Sequence, residues 1–279
     1  MYREEERKKM SDIIERFNSI KELLSTLDSR ENNKYMQGEY QSKRSSATFT
    51  KTKSYEEAVY LLRTGYLDPL KKIKMACRKV SKDYSNTIAD VDRRQVRNMP
   101  IGYVPNVPNT LLGRPDSMIN ITNKPIKKKC INIIYANSAS ASHGVDDFIS
   151  AGTRLVSAIN IIERSGTQVK LDVAFVTAKE KRQRICGVLK IKGYGERFNL
   201  QKVTFPLIHP SMMRRIGFKF LETVPGMEED FSEFYGSTID SDELAEMFET
   251  NNQTYVLTVK DVRAMNGGDG VLKYFGQKK

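Results

Sequence analysis

The chain has 279 residues, a formal net charge of +12 (46 Lys and Arg against 34 Asp and Glu) and 39% hydrophobic residues, enough for one large domain or a medium one with an extension. No apolar run nears the roughly 18 residues of a membrane span, and the charged start MYREEERKKM lacks the apolar region of a secretory signal. The three cysteines, Cys77, Cys130 and Cys186, fit neither a metal spacing nor a disulfide framework.

Residues 1 to about 28 read as a helix, because Ile13, Ile14, Phe17, Ile20, Leu23, Leu24 and Leu27 recur at spacings of three and four. A single stripe cannot bury itself, so it is expected to pack on the body or on a partner. Residues 29–53 are polar and read as a linker or long loop. Ser54, with Glu56 and Glu57 behind it, starts a helix whose apolar face is Ala58, Leu61 and Leu62 and which Gly65 ends. A second helix turns Leu67, Leu70, Ile73, Met75 and Val80 inward and its lysines outward. Residues 84–126, punctuated by Pro100, Pro105, Pro108, Pro115 and Pro125, read as an irregular surface wrap with one short helix at 109–113.

An α/β body begins near Lys127. The continuous apolar run Cys130 to Tyr135 predicts a strand buried on both faces. A loop of small residues, ANSASASHG over 136–144, leads into a helix at 145–164 whose inward residues are Phe148, Leu155, Ile159 and Ile162. Gly152 is expected to allow close approach to the sheet, and Ser165-Gly166 to stop the helix. Strand 169–177, a basic turn and strand 184–192 form a hairpin. Asn199 opens another helix, and the chain restarts after His209-Pro210-Ser211. A capped helix from Asp240 to Thr250, a strand from Thr254 to Val259 and broken helical pieces over 260–275 complete it. The expected fold class is α/β, with a mostly parallel sheet and one antiparallel edge strand. Its expected parts are a helical extension and linker (1–53), a wrapping segment (54–126) and the α/β domain (127–279).

This order of elements resembles a von Willebrand factor A domain, a Rossmann-like fold whose third strand runs antiparallel at an edge, as the pairing of 169–177 with 184–192 requires. That family places a metal motif, Asp-x-Ser-x-Ser, just after the first strand. Here the stretch is Asn137-Ser138-Ala139-Ser140-Ala141-Ser142. If Asn137 takes the acid's place, alanines fall on the serine positions; if Ser138 takes it, Ser140 and Ser142 match but the acid is a serine. A hard cation needs a carboxylate to offset its dehydration, so no cofactor is expected, magnesium being the ion the motif leaves open. Four further segments, SYEEAVYLLRTGYLDPLKKI (54–73), VPNVPNTLLGRPDSMI (104–119), INIIYANSASAS (131–142) and PLIHPSMMRRIGFKFLE (206–222), resemble an uncharacterised family of bacteriophage-encoded proteins. The resemblance implies a protein of the infected bacterial cytoplasm or of the virion, and carries over no activity.

The loop 136–144 offers open backbone and hydroxyls before a helix N-terminus, a setting for an anion. It has neither a Walker loop nor a dinucleotide fingerprint, and an ordinary strand–helix turn is the competing reading. His143 beside it would suit a hydrolase, although no Gly-x-Ser-x-Gly elbow is present. His209, Arg214 and Arg215 are expected to face the same cleft, the two arginines gripping an anion. The bland reading has them at the surface or paired with the late acidic segment. The candidate anion-binding set is therefore Asn137, Ser138, Ser140, Ser142, His209, Arg214 and Arg215. A second candidate set, Lys71, Lys72, Lys74, Arg78, Lys179, Lys181, Arg182 and Arg184, would grip a nucleic-acid backbone, against the reading of a solvated charged face. No zinc-knuckle, helix-turn-helix or ribonucleoprotein signature accompanies it. The leading expectation is a non-enzymatic binding or scaffold protein, engaging a protein partner, another copy of itself or an anionic ligand, and no membrane. The alternative is a nucleic-acid-binding factor, and the weakest reading is a hydrolase using the serine loop.

Overall fold

The computed structural model describes residues 12–33, 40–71, 73–75, 78, 94–123, 129–139, 144–164, 166–179, 183–227, 235, 237–248, 253–265, 270–271 and 274–275. The chain opens with β1 (Ile13–Phe17) and α1 (Ile20–Ser29), then two helical turns, α2 (Gln41–Arg44) and α3 (Ala47–Thr50), and α4 (Tyr55–Thr64). A ribbon follows, made of β2 (Arg94–Met99), β3 (Val104–Pro105), the short helix α5 (Val107–Leu111) and β4 (Met118–Asn123). The body adds β5 (Cys130–Ala136), α6 (Val145–Arg164), β6 (Gln168–Lys179), β7 (Gln183–Lys192) and α7 (Leu200–Ile208). After these come a π-helix (Met212–Gly217), α8 (Phe218–Thr223), α9 (Ser241–Met247), β8 (Thr254–Thr258) and α10 (Val259–Ala264).

The protein is α/β. Five strands form one sheet in the order β1-β7-β6-β5-β8, and three form a second in the order β2-β4-β3. In the large sheet β5 runs parallel to both β6 and β8, β7 runs antiparallel to β6, and β1 runs parallel to β7. Local signals set most boundaries. Ser54 accepts from the Glu57 N–H and Gly65 ends α4 at φ 91°; Asn199 caps α7 and Asp240 caps α9. Each satisfies N–H groups that the first helical turn leaves without partners.

Four expectations are corrected. Residues 13–17 are a strand, so the N-terminal extension is not helical throughout: β1 completes the sheet beyond β7, and β7 is therefore not its edge. Ile13, Ile14 and Phe17 fit a helical spacing, but the outer edge of β7 supplies backbone partners that an isolated helical stripe lacks. The helix begins only at Ile20, where Ser19 accepts from the Glu22 N–H and Glu22 accepts from the Asn18 N–H. Residues 41–50 are two helical turns docked on the body rather than a loose linker. The stretch 94–123 is an antiparallel ribbon, with Pro105 confined to its two-residue edge strand. Gly152 serves a helix–helix approach and not the sheet, since a Cβ there would lie 2.7 Å from the Leu207 carbonyl and 2.5 Å from the Ile208 side chain.

Among the described residues the two faces of the large sheet are covered unequally. On one, Leu171, Val173 and Phe175 of β6 meet Phe148 and Leu155 of α6, Phe205 of α7, Ile216 of the π-helix and Phe220 of α8 in the main core, which also takes in Leu23, Leu24 and Leu27 of α1. On the other, Ala174, Val176, Cys186, Val188, Ile134 and Val256 meet Leu244 and Met247 of the short helix α9. The alternation of β6 between the two clusters is the period-two pattern of a strand.

Candidate functional site

Asn137 and Ser138 follow the last residue of β5, and both are buried. The Asn137 Nδ2 donates to the carbonyls of Pro206 (2.8 Å) and His209 (3.2 Å). The Ser138 hydroxyl accepts from the Val176 N–H at 3.1 Å and donates to the Met213 sulfur at 3.6 Å. These side chains rivet the end of β5 to the turn between α7 and the π-helix. His209 sits in that turn, stacked on Phe205 and edge-on to Tyr66. Its Nδ1 accepts from the Ser211 N–H at 3.1 Å, and burial pushes its pKa down from 6.5 to about 4. The structure thus brings Asn137, Ser138 and His209 together, as a buried joint. Ser140, Ser142 and His143 lie outside the described residues.

Arg215 turns to the N-terminal segment, which corrects for it the expectation of gripping an anion in a cleft or pairing with the late acidic segment, and Arg214 reaches the same segment. Arg214 donates to the Phe49 carbonyl at 2.8 Å and lies over the Phe49 and Phe148 rings at 4.0 and 5.2 Å. Arg215 is fully buried. Its Nε donates to Thr52 Oγ1 (2.9 Å), its Nη1 to the carbonyls of Ser42 (2.8 Å) and Lys43 (3.1 Å), and its Nη2 to the Ser45 carbonyl (3.0 Å), Thr50 Oγ1 (3.1 Å) and the Thr52 carbonyl (2.9 Å). Beside this cage the buried Glu222 accepts from the Ser42 N–H and hydroxyl and from the Tyr235 hydroxyl. Buried cations and carboxylates persist where every polar atom is met, and residues 42–52 supply that satisfaction.

The basic set divides. Lys71, Lys74 and Arg78 are exposed. Arg184 is already engaged: it forms a two-pronged pair with Asp12 (Nε to Oδ1 2.9 Å, Nη2 to Oδ2 2.5 Å), donates to the Glu243 carbonyl at 3.2 Å and lies 3.5 Å from Glu246. Its charge is therefore not offered to a nucleic-acid backbone, a correction to its place in that set. Lys72, Lys181, Arg182 and the side chain of Lys179 lie outside the described residues.

A surface absent from the sequence expectations is the ribbon. Ile101 (81% exposed), Tyr103 (77%), Leu111 (82%) and Leu112 (69%) stand in solvent, joined by Val96, Val104, Val107 and Ile121. Most of the exposed large hydrophobics among the described residues fall in this one element, and none of its residues joins either core cluster. Scattered exposed hydrophobics are ordinary, whereas a concentration of them marks a contact surface. Asn106 caps α5, and the Asn109 amide holds the Asp116 carbonyl at 3.2 Å, so the turn that presents these side chains is internally braced. On β4 the ribbon carries β2 on one side and β3 on the other, leaving the outer edge of β2 without a strand partner among the described residues. A cue lay in the sequence: Ile101, Tyr103, Val104, Val107, Leu111 and Leu112 are apolar residues in a turn-rich stretch where a solvated wrap would carry polar ones.

Among the described residues no group of three or more His, Cys, Asp or Glu is placed to hold a metal ion, and no helix is long and apolar enough to cross a membrane. The molecule is thus an α/β protein with a mostly parallel five-stranded sheet and an apolar antiparallel ribbon. Residues 4–278 match the model of a domain of unknown function, DUF7192, and the chain belongs to that family. No curated protein and no solved structure matches it.

Proposed function

We propose that the protein is a binding or scaffold protein that assembles with other copies of itself through the ribbon 94–123. The observation that carries this reading is the concentration of exposed Ile101, Tyr103, Leu111 and Leu112 on a braced element outside both cores. A second copy is the occupant favoured by the unpaired outer edge of β2, which another β2 can extend, and by the prevalence of closed two-fold pairs among soluble assemblies. For the body, a von Willebrand A-like arrangement is supported by the order β7-β6-β5-β8 with β7 antiparallel to β6, β1 being an addition outside it. The setting inferred from the sequence resemblance is an infected bacterium or a virion. The nucleic-acid reading loses Arg184 to its pairing with Asp12, and the hydrolase reading finds the Ser138 hydroxyl buried and in use.

Light scattering of the full chain over a concentration series tests the proposal. The wild type is expected at a multiple of 31.9 kDa, and the double variant Ile101→Asp/Leu111→Asp at the single-chain mass with an unchanged unfolding midpoint. Substitutions at such exposed positions shift stability by only about 0.5 kcal/mol. A wild type that stays at single-chain mass at every concentration, or a variant that keeps the wild-type mass, overturns it.

A further inference from the structure

The less covered face of the large sheet holds a cleft of about 290 Å³ between β1, β6 and β7, lined among others by Arg16, Lys170, Asp172, Lys190 and Tyr194. Its side chains converge because of strand register. Asp172 pairs with Lys190 across the β6–β7 ladder, and Arg16 pairs with Val188 on the next strand out. A bulge then intervenes, for the next ladder pair is Leu171 with Lys192. The extra residue on β7 splits the two lysines between faces. Lys190 stays on the cleft side, while Lys192 reaches Glu163 of α6 at 2.5 Å and the Val169 carbonyl at 2.9 Å.

Asp172 forms the floor of the cleft, its side chain 3% exposed. Its Oδ2 meets the Lys170 ammonium at 2.8 Å, and its Oδ1 has no hydrogen-bond partner among the described residues. Asn132, which pairs with Lys170 across the β5–β6 ladder, likewise keeps its Oδ1 without one. Burial raises the Asp172 pKa, against the pull of Lys170, Arg16 and Lys190. A buried carboxylate oxygen left unmet weakens a fold, so its presence beside a cluster of cations points to a use outside folding. The three lining cations exceed the one lining carboxylate, with Glu196 at the rim 3.9 Å from Lys190. Val188 adds an apolar wall, and the half-exposed Tyr194 a ring that a ligand can cover.

We propose that this cleft binds a small phosphate monoester that carries a free hydroxyl, of the size of a sugar phosphate or mononucleotide. Arg16 and Lys190 hold the phosphate oxygens through charge-assisted hydrogen bonds, and Asp172 Oδ1 accepts from the ligand hydroxyl. The volume sits at the lower end of the roughly 300–1,000 Å³ of small-molecule sites, which limits the ligand to this size. The cleft stands at the amino-terminal end of β6, whereas open α/β sheets place most ligands at the carboxyl ends of their strands. It is therefore separate from the loop that follows β5.

Calorimetric titration of the full chain with ribose 5-phosphate, ethyl phosphate and ribose tests this. Ribose 5-phosphate is expected to bind about tenfold or more tightly than either fragment, since each charge-assisted hydrogen bond is worth about a factor of ten. Lys190→Ala, at a half-buried rim position, weakens it about tenfold without unfolding the chain. Asp172→Ala retains phosphate binding and loses the preference over ethyl phosphate. Absence of heat with ribose 5-phosphate at millimolar concentration, equal binding of ribose 5-phosphate and ethyl phosphate, or indifference to Lys190→Ala overturns the proposal. So does binding of a single-stranded oligonucleotide by a chain that ignores ribose 5-phosphate.

Discussion

Two buried charges, Arg215 and Asp172, sit on opposite sides of this molecule's polar accounting. Arg215 is enclosed by the 42–52 segment, and each nitrogen of its guanidinium donates to a carbonyl or hydroxyl at 2.8–3.1 Å. Asp172 is nearly as enclosed, yet keeps one oxygen without a partner among the described residues and draws cations from three strands around it. The first arrangement is what a chain needs to hold a segment in place. The second is what a chain tolerates where something else is to bind. An unmet buried oxygen alone does not make the difference, since Asn137 Oδ1 in the joint after β5 is also without a partner among the described residues; at Asp172 it coincides with a carboxylate, an open cleft and three lining cations.

The largest expected effect lies on the satisfied side. Arg215→Ala strips the Ser42, Lys43, Ser45 and Thr52 carbonyls of their donor in a dry setting and opens a cavity, and is expected to cost about 4 kcal/mol or more in urea unfolding. Arg215→Lys rescues little of this, because three donors on a point charge cannot serve six acceptors spread around a planar fork. A loss below about 1 kcal/mol in the alanine variant would break the contrast, since single interactions of that size are ordinary.

His209 gives the next effect, and it is read through pH. The unfolded imidazole takes up its proton near pH 6.5 and the folded one only near pH 4. Across that window the unfolded state binds more protons, so stability is full above about pH 6.5 and falls as pH drops, by about 3 kcal/mol at the acid end. Urea midpoints measured from pH 7 to pH 4 check the slope. A proton NMR titration in which the imidazole changes charge near pH 6.5 in the folded protein would remove its basis.

These charges also mark how far the sequence could be read. The run β5–α6–β6–β7 was legible because its signals are local: an apolar run, a helical stripe, a stop at Gly166 with φ 90°, and a basic turn between two strands. Caps at Ser54, Asn199 and Asp240 were legible for the same reason. β1 was not, because Ile13 and Phe17 lie four apart and satisfy both the helical period and the strand period, and only the free edge of β7 decides between them. The ribbon strands RQVRNM and MINITN are short and mixed in polarity, with no alternation strong enough to announce them. Arg215 was legible as an arginine worth explaining, but its partners are backbone carbonyls some 170 residues away, and carbonyls leave no mark on a sequence. The cleft is the extreme case. Lys170 and Asp172 lie two apart on β6 and Lys190 on its hairpin partner, but Arg16 comes from β1, which the sequence did not announce, and the bulge that keeps Lys190 on the cleft side leaves no mark there either.

The smallest expected effect is the one that sharpens the contrast most. Desolvation holds the Asp172 carboxyl above its ordinary pKa, so the folded chain keeps that proton to higher pH than the unfolded one. Such a group favours the fold fully below its unfolded pKa, and that contribution is lost as pH rises through the folded value. At neutral pH its ionised form therefore weighs against folding. Asp172→Asn removes the titration, keeps the shape and leaves the half-exposed Lys170 free to turn toward water. A thermal midpoint at pH 7 that is unchanged or raised is expected, and its difference from the wild type should shrink as pH is lowered toward 4. If the variant instead melts markedly lower at pH 7, the Lys170–Asp172 pair is a stabilising contact like those around Arg215. The distinction between a satisfied cage and an unsatisfied cleft would then fail at the residue on which it turns.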